Sequence, residues 1–150
     1  MLKIRQGVAN DTATLSNIAF RSKAYWGYDA DFMEACRGEL TYDANHLPAT
    51  YFGVLEDPMV IGFYALDIKT KDTMELTALF VEPEFIGRGY GKALMNHAKI
   101  QAKVFGASAI EVQADPNALA FYQAMGGIEN GKRESSSIAG RLLPVLLFEL

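Results

Sequence analysis

"FIGRGYGKALMNHAKI", residues 85–100, sets Gly87, Gly89 and Gly91 at the entrance of a segment with helical period. Tyr90, Leu94, Ala98, Ala102 and Phe105 recur at helical spacing, while Lys92, Asn96, Lys99 and Lys103 take the opposite face. Gly106 supplies the stop. Glycine costs about 1 kcal/mol against alanine inside a helix, so three of them at its start ask for a compensating reason. A helix start offers unpaired N–H groups and about half a positive charge, and glycines let an anion reach that backbone without meeting a Cβ. A close strand-to-helix turn with no ligand is the alternative. Two familiar phosphate loops fail on spacing. The dinucleotide pattern begun at Gly87 would need glycine where Lys92 stands, and the P-loop would need glycine at Ile86 and a hydroxyl at Ala93.

Working outward, "MELTALFV" (74–81) reads as a strand closed by Pro83, and "AIEVQA" (109–114) as a second strand after the helix. Strand, helix and strand make a βαβ unit, so the two strands should run parallel. "KIRQ" reads as a first short strand, and Asn10 or Asp11 as the cap of the helix that follows it. "SKAYWGYDADFMEACRGEL" breaks that helix at Gly27 and restarts it after Asp29 or Asp31, ending near Gly38. "ATYFGVL" and "VIGFYALDI" form a hairpin across the turn "EDPM". "PNALAFYQAM" is a helix opening on Pro116 and ending at Gly126 and Gly127. "GIENGKRESSS" and "GRLLPVLLFEL" supply two final strands around a polar loop. The order β-α-α-β-β-β-α-β-α-β-β describes a mixed sheet with helices on its faces. Ligands in such sheets favour the carboxyl ends of strands where the order changes.

At 150 residues the chain is one domain, able to bury roughly 70% of its unfolded surface. The single cysteine, Cys36, forms no internal disulfide and fits a reducing compartment as a small buried hydrophobe. The start "MLKIRQGVAND" lacks the apolar stretch of a signal peptide, and "LLPVLLF" falls far short of the ~18 residues of a membrane span. A cytoplasmic location is the expectation, with no membrane partner. A net charge of −4 without a basic run argues against nucleic acid and leans toward cationic partners. His46 and His97 lack metal-ligand spacing, so no metal is expected.

The glycine loop, taken with "NALAFYQAMGG" (117–127) after the next parallel strand, resembles the GNAT-type N-acetyltransferase superfamily, which acylates amines from acetyl-CoA. Its phosphate loop typically reads Gln/Arg-x-x-Gly-x-Gly/Ala; Ile86 departs at the first position, as does glycine where phenylalanine is common at the end of the later motif. The resemblance covers nearly the whole chain. It implies an α/β (α+β) fold: a mixed, mainly antiparallel seven-stranded sheet, a central parallel βαβ unit and helices on both faces. It also implies that the amides of Gly87, Arg88, Gly89, Tyr90, Gly91 and Lys92 hold the CoA pyrophosphate. Pantetheine would lie between the splayed parallel strands, paired with backbone near Phe80 and Val81, with Asn117 and Phe121 adding cofactor contacts.

An alkylammonium of pKa ~10.4 costs about 4.6 kcal/mol to neutralise at pH 7, so amine acylation needs a proton acceptor. Glu75, on the strand leading into the loop, is placed to serve directly or through water; a solvent-facing or cross-strand-paired glutamate is the alternative. Tyr122 stands where many members carry a tyrosine that donates to the CoA sulfur, or else it packs on the sheet. "SKAYWGY" (22–28) falls where the family builds its acceptor pocket. Tyr25, Trp26 and Tyr28 would grip an amine by cation–π contact, aided by Asp29, Asp31 and Glu34, or would simply close a helical corner. The expected activity is transfer of acetyl from acetyl-CoA to a small amine or peptide, with a homodimer as a compatible assembly. A non-catalytic acyl-CoA sensor and a transferase for longer acyl groups or oxygen acceptors are the rivals.

Overall fold

The computed structural model describes residues 2–150. Chain order is β1 (Lys3–Gln6), α1 (Thr12–Ala24), α2 (Ala30–Cys36), β2 (Thr50–Glu56), β3 (Val60–Ile68), β4 (Thr73–Val81), α3 (Tyr90–Val104), β5 (Ala109–Gln113), α4 (Leu119–Ala124), β6 (Ile128–Glu134) and β7 (Leu142–Glu149). The seven strands form one sheet in the order β1-β2-β3-β4-β5-β7-β6. Among the described residues only β4 and β5 pair in parallel, as their crossover through α3 requires. The last strand in the chain inserts between β5 and β6.

Both faces are covered. Leu94, Met95, Ala98 and Ala102 of α3 pack with Tyr122 of α4 on one face, against Leu76, Ile110 and Leu146. Leu15, Ile18 and Ala19 of α1, with Met33 and Cys36 of α2, cover Phe52, Val54 and Phe63 on the other. Burial alternates along β4 through Met74 and Leu76, which sends Glu75 to the α1–α2 face.

Two helix starts differ in detail from the sequence expectation. Asp11 holds the N-cap position of α1 but makes no side-chain cap bond: its carboxylate accepts from the Val8 amide and from both Nη atoms of Arg5, which tie β1 to the turn. The helix expected from Pro116 begins as a 3₁₀ turn, Pro116–Ala118, because Asp115 captures the Asn117 amide at 2.8 Å. Asp29 does cap α2, accepting from Phe32 N at 2.8 Å. No helix among the described residues is long and apolar enough to cross a membrane.

Candidate active site

The three glycines that open α3 are there for two different local reasons. Gly87 and Gly89 both sit at φ 85°, a left-handed conformation that L side chains rarely adopt, and a Cβ on either would point into open space. Gly91 is helical, and a Cβ there would stand 3.3 Å from Phe121 Cε1, so its bareness lets α4 pack against α3. No side chain caps α3; the first backbone bond returns from Ala93 N to Gly89 O at 3.1 Å. The preceding amides are left free at the positive end of a 15-residue helix. Arg88 lies exposed beside them with its guanidinium 5.3 Å from the Phe85 ring, and Tyr90 packs edge-on to the same ring.

From this loop a cleft of about 750 Å³ runs between β4 and β5. The strands pair only from Thr73 to Leu76 against Ala109 to Val112, then part. They part at a bulge: Ala65 faces Ala78 and Leu66 faces Leu76, leaving Thr77 unpaired. A bulge bends and re-aims the strand that carries it. Beyond it β4 is bonded to β3 alone, so the other backbone edge of Thr77 to Val81, including Phe80 and Val81, faces the cleft. Meanwhile β5 follows β7, with Ala114 N donating to Pro144 O at 2.9 Å.

Tyr122 lines the middle of this cleft from α4, only 6% exposed, its ring edge-on to Phe148 and Phe121. Burial, with the charge of Asp115 adding to it, pushes the phenol well above its ordinary pKa. No protein group among the described residues hydrogen-bonds the hydroxyl. A neutral donor thus points at the gap between the strands. Glu75 also lines the cleft and accepts from Arg133 Nη2 at 3.0 Å. Arg133 Nη1 reaches Glu111 at 2.9 Å, and Lys69 also pairs with Glu111.

A second network in the lining draws on four parts of the chain. Asp115, two residues beyond β5, accepts from the Tyr28 hydroxyl at 2.8 Å and from Lys23 Nζ at 3.2 Å. Asn117 donates its backbone N–H and its side-chain Nδ2 to the same carboxylate, and Arg141 Nη2 donates to the Tyr28 hydroxyl at 2.9 Å. Burial alone would raise the Asp115 pKa, but the Asn117 amide, the Tyr28 hydroxyl and Lys23 hold it below its ordinary value.

The sequence profile of the acetyltransferase (GNAT) family matches residues 15–127. The chain belongs to that family. An uncharacterized N-acetyltransferase of Methanocaldococcus jannaschii is 35% identical over 75 residues, 44% of this chain and 33% of that protein. The chain spans about a third of that relative's length. The PaiA N-acetyltransferase of Thermoplasma acidophilum, solved in complex with coenzyme A, superposes with a TM-score of 0.79 at 19% identity, covering 100% of this chain and 99% of the other. A GNAT family acetyltransferase of Elizabethkingia anophelis with acetyl-CoA bound gives 0.73 at 16% identity, covering 99% and 98%.

Within the GNAT domain the sequence-expected residues divide. Gly87, Gly89, Gly91, Lys92, Phe80, Val81, Asn117, Phe121, Tyr122 and Glu75 all line the one cleft, and so does Trp26. Tyr25 packs edge-on against Trp26, 5.3 Å away, and stands outside the lining. Tyr28 stacks on Phe32, and its ring is approached by the protein's own cations, Lys23 Nζ at 5.6 Å and the Arg141 guanidinium at 5.4 Å. The three acidic residues expected beside them belong to α2 and stand outside the lining: Asp29 as its cap, Asp31 in its first turn and Glu34 in a 2.7 Å pair with Arg37. The GNAT cleft is lined there by Lys23 and Arg141 instead, residues that the sequence reading did not single out. Asp115 carried one legible signal, an aspartate before Pro-Asn at a helix start. Among the described residues no group of three or more His, Cys, Asp or Glu forms a metal site.

Proposed function

We propose that this GNAT protein is an acetyl-CoA-dependent N-acetyltransferase that acylates a primary amine of a small molecule or peptide by direct attack, in a reducing cytoplasm. One observation carries the reading: the uncapped α3 start, the free edge of β4, buried Tyr122 and Glu75 all open onto a single cleft. The parts fit the donor in turn. Free amides of residues 87–92 suit a diphosphate, and left-handed glycines keep its approach clear. The edge at 77–81 offers N–H and C=O groups to the amides of a pantetheine arm.

Acetyl-CoA supplies a thioester, in which a C–N bond to the acceptor replaces the C–S bond and the thiolate leaves with the electron pair. The chain's own residues handle the protons. Tyr122, kept neutral by burial, donates a hydrogen bond where the thiolate develops; its raised pKa makes full transfer of that proton more uphill still. Glu75, facing the cleft, takes the amine proton directly or through water. A panel of primary amines with acetyl-CoA, read by released thiol, tests the proposal. Turnover with at least one amine is expected. Tight CoA binding with no thiol released from any of them would overturn it in favour of a sensor.

A further inference from the structure

In the lining of the cleft two cations share one carboxylate. Lys23 Nζ lies 3.2 Å and Arg141 Nη2 3.6 Å from the same oxygen of Asp115. All three are largely buried, with side chains 11%, 19% and 17% exposed respectively. Asp115 is already saturated by the Tyr28 hydroxyl and by Asn117. The cluster therefore holds one positive charge beyond what its carboxylate neutralises, in a place where water screens poorly. Glu39 also lines the cleft and lies beside Cys36, within the same surroundings as Lys23 and Arg141, but it is exposed, accepts from Ser136 and makes no ion pair within 4 Å among the described residues, so solvent screens its charge from the two cations. Glu75 is matched by Arg133.

Arg141 is fixed rather than free. Its guanidinium lies over the rings of Phe32 and Tyr28, 4.9 and 5.4 Å from their centroids, and Nη2 is anchored on the Tyr28 hydroxyl. Its Nε and Nη1 donors have no protein acceptor among the described residues. We propose that the acceptor carries a carboxylate as well as the reacting amine, and that Arg141, with Lys23 beside it, holds that carboxylate. The proposal rests on the transferase reading above and names its substrate class, a small amino acid. One excess charge matches a carboxylate better than a phosphate dianion, and a planar guanidinium is shaped for it. The same cations repel a second ammonium group, so di- and polyamines make poor acceptors.

The test compares acceptors in the thiol-release assay on the unaltered protein. Free amino acids with α- and ω-amines are each set beside the corresponding carboxamide, with phosphoethanolamine, putrescine and spermidine alongside. The best amino acid should exceed its carboxamide in kcat/KM by about tenfold or more, the worth of a hydrogen bond to a charged group. Arg141→Gln and Arg141→Lys should both erase that preference by raising the amino acid's KM, with the KM for acetyl-CoA held. Equal use of acid and carboxamide, or a preference for polyamines or phosphoethanolamine, would overturn the proposal while leaving the transferase reading intact. If no amine turns over, the transferase reading falls. The carboxylate site is then read from melting curves of the CoA-saturated protein with the same pairs. A shift with the acid alone upholds the site, and no difference within the pairs overturns it.

Discussion

Arg133 of β6 holds the Glu75 carboxylate of β4 at 3.0 Å. The ion pair fixes where that carboxylate sits beside the cleft. If Glu75 takes the amine proton, Glu75→Gln should lose most activity near neutral pH and recover toward the amine's pKa of about 10.4, where the acceptor deprotonates unaided. Arg133→Met should release the Glu75 carboxylate from that pair and lower kcat/KM, with the KM for acetyl-CoA held. A pH-independent defect in Glu75→Gln would assign that residue to anchoring Arg133.

Tyr122→Phe keeps the ring that packs on Phe148 and removes the hydroxyl that faces the cleft. Its kcat should fall toward the low end of the ~10²–10⁴-fold range of positioned acid–base groups, with CoA affinity held. Stopped-flow measurement of acyl transfer separates this from slow product release. An unchanged chemical step would remove Tyr122 from the mechanism.

Gly89→Val puts a branched side chain on a backbone at φ 85°. The strain should cost about 1–2 kcal/mol of stability. CoA affinity, measured by calorimetry, should fall by about tenfold or more, the worth of one charge-assisted hydrogen bond. Gly91→Ala is the contrast. Alanine gains up to about 1 kcal/mol of helix propensity, which offsets displacing Phe121, so its denaturation midpoint should barely move.

Trp26 is 45% exposed and lines the cleft, which separates two outcomes that its position in the sequence left open. Trp26→Ala should lower stability by well under the roughly 3–5 kcal/mol of a core tryptophan. Its effect should appear in the acceptor's KM, with the KM for acetyl-CoA held. Denaturant melts beside steady-state kinetics give both numbers.

His97 of α3 shares a 2.7 Å hydrogen bond with Tyr64 of β3, near Tyr51, and burial lowers its pKa. The unfolded chain takes up that proton near pH 6.5, whereas the folded state resists it until lower pH. Below about pH 6.5 the unfolded state therefore binds more protons, and stability should fall as pH drops toward the folded-state pKa. Melting temperatures between about pH 7.5 and 5.5 should show the decline, and His97→Gln should flatten it.

The βαβ centre was legible because each of its parts is local: alternation along β4, helical period along α3, glycines between them. The neighbours of β7 were not, since inserting a last strand between β5 and β6 depends on packing across the whole sheet. The bulge at Thr77 leaves no mark in "MELTALFV", which reads as an ordinary strand. The aromatic corner was half legible. Its rings do meet cations, but Lys23 and Arg141 are side chains 118 positions apart, and no local pattern joins them.

Four rungs, Thr73–Leu76 against Ala109–Val112, tie the β1–β4 leaf of the sheet to the β5–β7–β6 leaf. On one face of the sheet α3 packs across both leaves, and a donor lying in the opening beyond the rungs would add a splice between them where the backbone has none. Amide exchange should then slow on both leaves together when it binds, including at strands it never touches. The protein would be most nearly a single mechanical body only while loaded.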